Sequence, residues 1–155
     1  GSHYDSAVRV PMIVRWPGRV PANVKSDSLQ SLVDFAPTFL AAAGEDPDPW
    51  MQGTNQLSVW EQPETSVRHG VWIDHHVEEG LTVNTWITDR YRLSHHAIHA
   101  EGRDEWELYD LHKDPDEFTN LASGNEWRIR AELSGELMHY QAECRKPWPK
   151  RKAFA

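Results

Sequence analysis

Histidine and aspartate side chains gather at the ends of two short stretches in which apolar and polar residues alternate. They are Asp74, His75, His76, His95, His96 and His99. In a β-strand successive side chains point to opposite faces, so at most one member of each adjacent pair can face a given cleft. Because imidazole and carboxylate groups bind polar ligands, these two stretches are the candidate functional positions of the chain.

Two other chemistries are open to these side chains. Imidazole and carboxylate ligands suit zinc, and Asp74, His76 and His95 would form a site if the strand register brought them together. The sequence does not reveal that register, so we expect no metal site here. The single Cys144 excludes an internal disulfide, and its place on an apolar helix face favours a buried thiol without a chemical role.

The histidine stretches belong to a predicted antiparallel sheet. Period-two patterns predict strands over residues 70–76, 81–88, 91–95 and 105–111. A hairpin through residues 78–80 joins the first two strands, and a polar loop over 97–104 precedes the fourth. A helix over 126–143 follows. Its apolar residues step by 4, 4, 3 and 4 along one face, and they are Ile129, Leu133, Leu137, Tyr140 and Cys144.

The N-terminal part has a different character. Residues 10–16 form a short apolar run that ends at a Pro-Gly turn, which predicts a strand buried on both faces. Asp34 is a suitable N-cap for a helix that runs to Ala43 and ends at Gly44. Such a strand needs cover that a small chain rarely supplies, so residues 4–44 resemble a strand and helix from a larger α/β sheet.

These elements predict an α+β fold class. A C-terminal subdomain over 66–144 has a four-stranded antiparallel sheet packed against a C-terminal helix. It is preceded by a strand and helix belonging to a larger α/β sheet (4–44) and by a linker loop over 45–65. Residues 1–3 read as the remnant of an expression tag, and residues 145–155 as a basic tail.

Composition and charge exclude several classes of protein. The 155 residues carry a net charge of −8, and residues 1–144 hold all twenty-four acids against eleven bases. A body this acidic argues against nucleic acid as a partner. No apolar run approaches the roughly 20 residues of a membrane-spanning helix, so we expect no membrane partner. A single cysteine leaves the cellular location open.

Four segments, in this order, resemble those of the sulfatase family. Residues 4–18 (YDSAVRVPMIVRWPG) are similar to its YE-x-x-x-RVP segment, and residues 32–44 (LVDFAPTFLAAAG) to its VDLAPTLLDLAG helix. Residues 85–93 (TWITDRYRL) resemble its T-x-RYKL strand pair. Residues 107–122 (ELYDLHKDPDEFTNLA) match its ELYDL-x-x-DP-x-E-x-x-NLA pattern. The segment over 53–61 departs from the family pattern and fits only loosely.

The resemblance implies the C-terminal portion of a sulfatase within the alkaline-phosphatase-like superfamily. Such enzymes hydrolyse sulfate esters with a formylglycine nucleophile beside a calcium ion, and neither site maps onto this chain. Cys144 lies in the wrong motif order for the nucleophile. We therefore expect no catalytic residue and no bound cofactor here, and an inactive chain whose parent supplies calcium and formylglycine. In some arylsulfatases a histidine after the RYK strand reaches the ester, so the substrate-binding candidates are His95, His96, Asp74 and His76.

Two other interpretations stay open. A phosphonate or phosphate monoester hydrolase of the same superfamily shares these C-terminal motifs. A stand-alone, non-catalytic interaction module would bind a partner through the edge of its sheet. The sulfatase hypothesis also predicts self-association through the exposed N-terminal strand, because an unpaired apolar strand seeks a partner.

Overall fold

A computed structural model of the chain describes residues 3–77, 80–99 and 101–144. Within them one sheet contains β1 (Gly70–Val77), β2 (Leu81–Thr88), β3 (Tyr91–Ile98) and β4 (Arg103–Asp110), all antiparallel and in that spatial order. The helices are α1 (Asp5–Val8), α2 (Phe35–Ala43), α3 (Leu57–Glu61) and α4 (Trp127–Cys144), with a 3₁₀ turn at Leu32–Asp34. None of these helices is long and apolar enough to cross a membrane. The predicted fold class is confirmed for the sheet and its helix.

The register divides the sheet into two faces. Trp72, Trp86, Leu93 and Leu108 lie side by side across the four strands, on the face that α4 covers, which we name the helix face. One position along, Ile73, Thr85, Ser94 and Glu107 form the corresponding row on the opposite face. Residues 3–8 pack on that second face, so we name this segment the arm and the surface beneath it the arm face.

The helix face holds the apolar core. Its buried members are Trp86, Leu93, Leu108, Ala122, Leu133 and Leu137, each at most 5% exposed. Leu133 and Leu137 come from α4, and Ile129 and Tyr140 pack beside the core, as the helical spacing predicted. The one polar group of the Trp86 ring also has a partner, because its Nε1–H donates a hydrogen bond to Glu136 Oε2 at 2.8 Å.

A side chain covers the outer edge of β4. Asn120 Oδ1 accepts a hydrogen bond from the Leu108 N–H at 3.0 Å, and Asn120 Nδ2 donates to the Trp106 carbonyl at 3.0 Å. The Leu121 N–H adds a 2.8 Å bond to the Leu108 carbonyl. The asparagine of the NLA pattern therefore replaces a fifth strand along part of this edge and blocks pairing with another chain.

Asp34 anchors the N-terminal half more extensively than a helix cap would. Its carboxylate accepts hydrogen bonds from the Ser31 N–H at 2.8 Å, the Thr54 N–H at 2.8 Å and Gln56 Nε2 at 2.9 Å, and it pairs with the buried guanidinium of Arg68. The residue occupies the predicted N-cap position of α2, but its side chain makes no bond to that helix. The predicted end at Gly44 is confirmed, with φ at 82°.

The strand predicted over 10–16 is absent from the sheet. That stretch has no regular secondary structure, and the Ile13 side chain is 94% exposed. A strand exists only where a neighbour accepts its hydrogen bonds, and the four described strands pair with one another instead. The arm forms the short helix α1, which the sequence did not predict.

Two further boundaries differ from the sequence-based expectation. The segment over 45–65 is more than a loop, because α3 buries Val59 and Trp60 against the rest of the chain. The predicted loop over 97–104 is shorter, since β3 continues to Ile98 and pairs there with Arg103. Residues 1–2 of the predicted tag remnant, residues 78–79 of the predicted hairpin and the predicted basic tail over 145–155 lie outside the described residues.

Candidate functional site

The four substrate-binding candidates lie on two different faces of the sheet. Asp74 pairs with Asn84, which pairs with His95, so both candidates share the helix face, and His76 lies on that face too. His96 pairs with Val83, and Val83 pairs with His75, so these two histidines share the arm face. The predicted alternation is therefore confirmed, and the four side chains do not line one cleft.

The helix-face candidates form two separate sets of polar contacts. His76 Nε2 lies 3.0 Å from Asp74 Oδ2, and His76 Nδ1 lies 3.3 Å from the Thr82 hydroxyl. His95 stacks on the Trp106 ring, with 4.2 Å between ring centroids. Its Nε2 lies 3.2 Å from Asp104 Oδ1 without hydrogen-bond alignment. Asp74 and His76 therefore contact each other, whereas the His95 Nε2 atom has no hydrogen-bond partner among the described residues.

The zinc arrangement of Asp74, His76 and His95 does not form. Across residues 3–77, 80–99 and 101–144, no three His, Cys, Asp or Glu side chains come close enough to hold a metal ion. His95 is instead engaged by Trp106 and Asp104. Cys144 is half-buried at the end of α4, where its carbonyl accepts a 2.9 Å hydrogen bond from Gln52 Nε2.

The arm face brings a third histidine to the candidate site. His3 is 6% exposed, and its Nδ1 lies 2.7 Å from the Thr85 hydroxyl. That hydroxyl lies 2.8 Å from the Ser94 hydroxyl, so the three polar groups form one buried chain. The His3 ring also stacks on His75, with centroids 5.9 Å apart. This residue falls in the segment that we interpreted as a tag remnant.

Acidic and phenolic groups complete this cluster. His96 Nε2 lies 3.5 Å from Glu107 Oε2, at ion-pair distance but without hydrogen-bond alignment. The Tyr4 hydroxyl donates to Glu107 Oε1 at 3.3 Å. His3, His75, His96 and Glu107 therefore surround the point at which the arm meets the sheet. We name these four side chains the histidine cluster.

Burial sets the charge state of His3. Desolvation, followed by the charges of His75 and His96, lowers the pKa of His3 from 6.5 to about 4. The imidazole is therefore neutral at pH 7. A neutral imidazole offers one donor and one acceptor, so it can hydrogen-bond both Thr85 and a further polar group.

Arg92 lies beneath the arm, next to this cluster. Its side chain is 1% exposed, and its guanidinium stacks between the rings of Tyr4 and Tyr109 at 4.6 and 4.7 Å. Arg92 Nη1 donates to the His3 carbonyl at 2.5 Å, and Arg92 Nε lies 2.7 Å from Glu117 Oε1. The sequence alone indicated no role for His3 or Arg92. The alternation along β3 does place Arg92 on the other face of the sheet from Leu93, and it is the one sequence pattern that could have indicated Arg92.

A family comparison matches nearly the whole chain. The sequence model described as N-sulphoglucosamine sulphohydrolase, C-terminal, matches residues 2–143. An N-acetylglucosamine-6-O-sulfatase of Bacteroides thetaiotaomicron is 29% identical over 152 residues, which cover 94% of this chain and 26% of that protein. The chain thus spans less than a third of the length of this relative.

Solved structures share the fold. One, a protein in complex with its substrate D-glucosamine-2-N,6-O-disulfate, superposes with a TM-score of 0.78 at 27% identity and covers 90% of this chain and 29% of that one. The phosphonate monoester hydrolase of Agrobacterium radiobacter superposes with a TM-score of 0.62 at 22% identity, covering 76% of this chain and 26% of that one. The second likeness is one of fold alone.

Proposed function

Since this chain belongs to the family of N-sulphoglucosamine sulphohydrolase C-terminal domains, we propose that it is the C-terminal part of an enzyme that hydrolyses sulfate esters. The match over residues 2–143 carries this proposal. The name of one relative refers to an N-acetylglucosamine 6-O-sulfatase, and one similar solved structure holds a sulfated glucosamine as its substrate. A sulfated amino sugar is therefore the first substrate to test.

The chain would complete the fold of the parent and shape one side of its substrate cleft. A calcium ion requires several oxygen ligands, and the described residues contain no group of three or more His, Cys, Asp or Glu side chains that could hold a metal ion. Calcium and the formylglycine nucleophile would thus come from the rest of the parent protein. On its own, the chain would bind at most part of the substrate and would not hydrolyse it.

We place the substrate side on the arm face. The apolar part of the helix face is covered by α4, and its exposed Asp74 and His76 contact one another, whereas the arm face carries buried and half-buried polar groups at the histidine cluster. His96 is half-buried and His75 is exposed, so a polar ligand beside the arm would meet both imidazoles. His96 is therefore the candidate that we retain, and His95, Asp74 and His76 would face away from that ligand.

The parent gene provides the test of this function. The coding DNA upstream of the codon for Gly1 is sequenced, and the complete protein is assayed on glucosamine 6-sulfate and on glucosamine 6-phosphate. We expect one reading frame with a C/S-x-P-x-R motif and a higher kcat/KM for the sulfate. A higher kcat/KM for the phosphate would favour the phosphate or phosphonate hydrolase. A frame without that motif would contradict the sulfatase proposal.

Exposed apolar side chains in the N-terminal part favour self-association of the isolated chain. Val10, Met12 and Ile13 are 58%, 39% and 94% exposed, close together in a segment without regular structure. We propose that this segment drives self-association when the chain is produced alone, although not through the strand that the sequence predicted. Light scattering after size exclusion should show larger species as concentration rises. A clean monomer at every concentration would favour the stand-alone interaction module.

A further inference from the structure

Glu117 adopts a backbone conformation that its residue type disfavours. Its φ is 59°, in the left-handed region where glycine is favoured and a side chain costs free energy. It is nevertheless 8% exposed and ends a turn whose Asp114 carboxylate accepts hydrogen bonds from Phe118 and Thr119. A turn residue selected for its backbone alone would be glycine or asparagine, so the Glu117 carboxylate requires another explanation.

Both carboxylate oxygens of Glu117 are engaged beneath the arm. Oε2 accepts a hydrogen bond from the Asp5 N–H at 2.9 Å, at the first residue of α1. Oε1 lies 2.7 Å from Arg92 Nε, which makes an ion pair without hydrogen-bond alignment between two almost completely buried side chains. The strained turn therefore aims one carboxylate at the arm backbone and at the guanidinium beneath it.

Arg92 holds the same segment from the sheet side. Its Nη1 donates to the His3 carbonyl, two residues before the amide that Glu117 binds. The Tyr4 ring lies over the guanidinium between these two contacts. One buried ion pair thus contacts three successive arm residues, at the His3 carbonyl, the Tyr4 ring and the Asp5 amide.

We propose that Arg92 and Glu117 are positioning residues that dock the arm on the sheet and thereby hold His3 within the histidine cluster. The functional meaning of this docking rests on the proposed function, because the histidine cluster lies on the proposed substrate side. Arg92 and Glu117 contact the arm and one another, and they would affect a bound ligand only by holding His3 in place. The docking itself is a property of this chain alone.

A role for Glu117 in the turn alone and a role in docking predict opposite effects of Glu117→Gly on the position of the arm. If Glu117 serves only the turn, glycine relieves the positive φ and leaves the arm in place. If Glu117 docks the arm, the same variant frees the Asp5 amide, leaves Arg92 without its counter-ion and releases His3 to solvent. Asn23→Gly is the matched control, because Asn23 also has a positive φ of 57° but is exposed.

The His3 imidazole reports the outcome in the full chain. We titrate its Cε1–H signal by NMR in the unchanged protein, Glu117→Gly, Arg92→Met and Arg92→Lys. The unchanged protein should give a midpoint near pH 4, and release should move it toward the ordinary 6.5. Arg92→Lys should restore part of the difference, because an ammonium keeps the charge but not the forked geometry.

Controls separate docking from general destabilisation. Arg90→Met removes a guanidinium that also pairs with a carboxylate, Asp110, and stacks on Tyr91, so its His3 midpoint should stay near 4. Far-UV circular dichroism tests whether each variant keeps its fold, and Glu117→Gly remains informative if Arg92→Met does not fold. Because the Arg92 charge itself contributes to the lowered pKa of His3, Glu117→Gly is the deciding variant, and a midpoint near 4 in that variant would overturn the proposal. Because no hydrolysis is measured, this result is independent of the sulfatase assay.

Discussion

The two faces of the sheet are packed by different physical means. On the helix face, α4 buries Leu133 and Leu137 against a row of large apolar side chains. On the arm face, hydrogen bonds and an ion pair fix a short segment. The polar side chains beneath it are buried, and Thr85, Ser94 and Arg92 are each at most 1% exposed. Apolar burial is non-directional, whereas each buried polar group requires a partner in a defined position.

This difference separates stability from positioning. Loss of apolar contacts on the helix face should destabilise the whole sheet. Loss of one polar partner on the arm face should displace the arm and lower the free energy of unfolding by a smaller amount, with the sheet still folded. A region held by a few directional bonds can open at low cost, and such regions commonly carry function. The following variants test whether the two faces respond in these distinct ways.

The largest effect should follow truncation of the helix-face core. Leu137→Ala removes a side chain that is 4% exposed, and we expect a loss of about 2–5 kcal/mol in the free energy of unfolding. Urea denaturation measures it. Its neighbour Met138 is 62% exposed, so Met138→Ala should change stability by less than about 0.5 kcal/mol. Equal losses in both variants would contradict a core centred on this face.

Acid should release the arm before it affects the helix face. The docked His3 has a pKa of about 4, and the released side chain has the ordinary 6.5. As pH falls below 6.5, the released arm takes up a proton and the docked arm does not, so docking weakens until about pH 4. A shift of this size corresponds to an upper limit of about 3–4 kcal/mol, which solvent screening reduces.

Hydrogen exchange of the Asp5 amide measures this release, because that amide is bonded to Glu117 only when the arm is docked. Its protection should fall between pH 6.5 and about 4. In His3→Phe the fall over this interval should disappear, since no imidazole titrates. An unchanged fall in that variant would show that other groups control the arm.

A smaller effect should follow loss of the buried hydroxyl on the arm face. Thr85→Val keeps the shape but removes the Oγ1 that contacts both His3 and Ser94, at 2.7 and 2.8 Å. We expect a cost of about 1–3 kcal/mol in thermal or urea unfolding, because buried polar groups lose their partner. Thr82→Val is the control, since its hydroxyl belongs to an exposed network. A matching loss in the control would exclude a special role for the buried chain.

The smallest effect should arise at the polar border of the helix face. Glu136→Ala removes the acceptor of the Trp86 Nε1–H, and we expect a loss of about 0.5–1.5 kcal/mol. Glu132, one turn earlier on α4, is exposed, so Glu132→Ala should be close to neutral. A loss as large as that of Leu137→Ala would show that polar bonds dominate both faces.

The helix face could be predicted from sequence because its signal is periodic. Alternation along β1 to β4 and the four-residue steps of α4 identify which side chains share a core, and the structure agrees at Trp86, Leu133 and Leu137. The strand bounds failed mainly at the hairpin over 97–104. There polar residues continue the ladder, because the pairing of Ile98 with Arg103 does not depend on hydrophobicity.

The arm face could not be predicted because its contacts are distant in sequence and non-periodic. His3 meets Thr85, and Asp5 meets Glu117, through hydrogen bonds that span 82 and 112 residues. No local pattern indicates such pairs. The strand predicted over 10–16 failed for a related reason, since an apolar run indicates burial but not whether the described chain provides a neighbouring strand.

Adjacent histidines on opposite faces provide the most direct test of the central claim that the arm face is the substrate side. In the complete protein, KM for glucosamine 6-sulfate is measured for His96→Ala and for His95→Ala. We predict that His96→Ala raises KM about tenfold, the loss of one substrate hydrogen bond, while His95→Ala leaves KM unchanged. A raised KM in His95→Ala with an unchanged KM in His96→Ala would contradict the account and assign the substrate to the helix face.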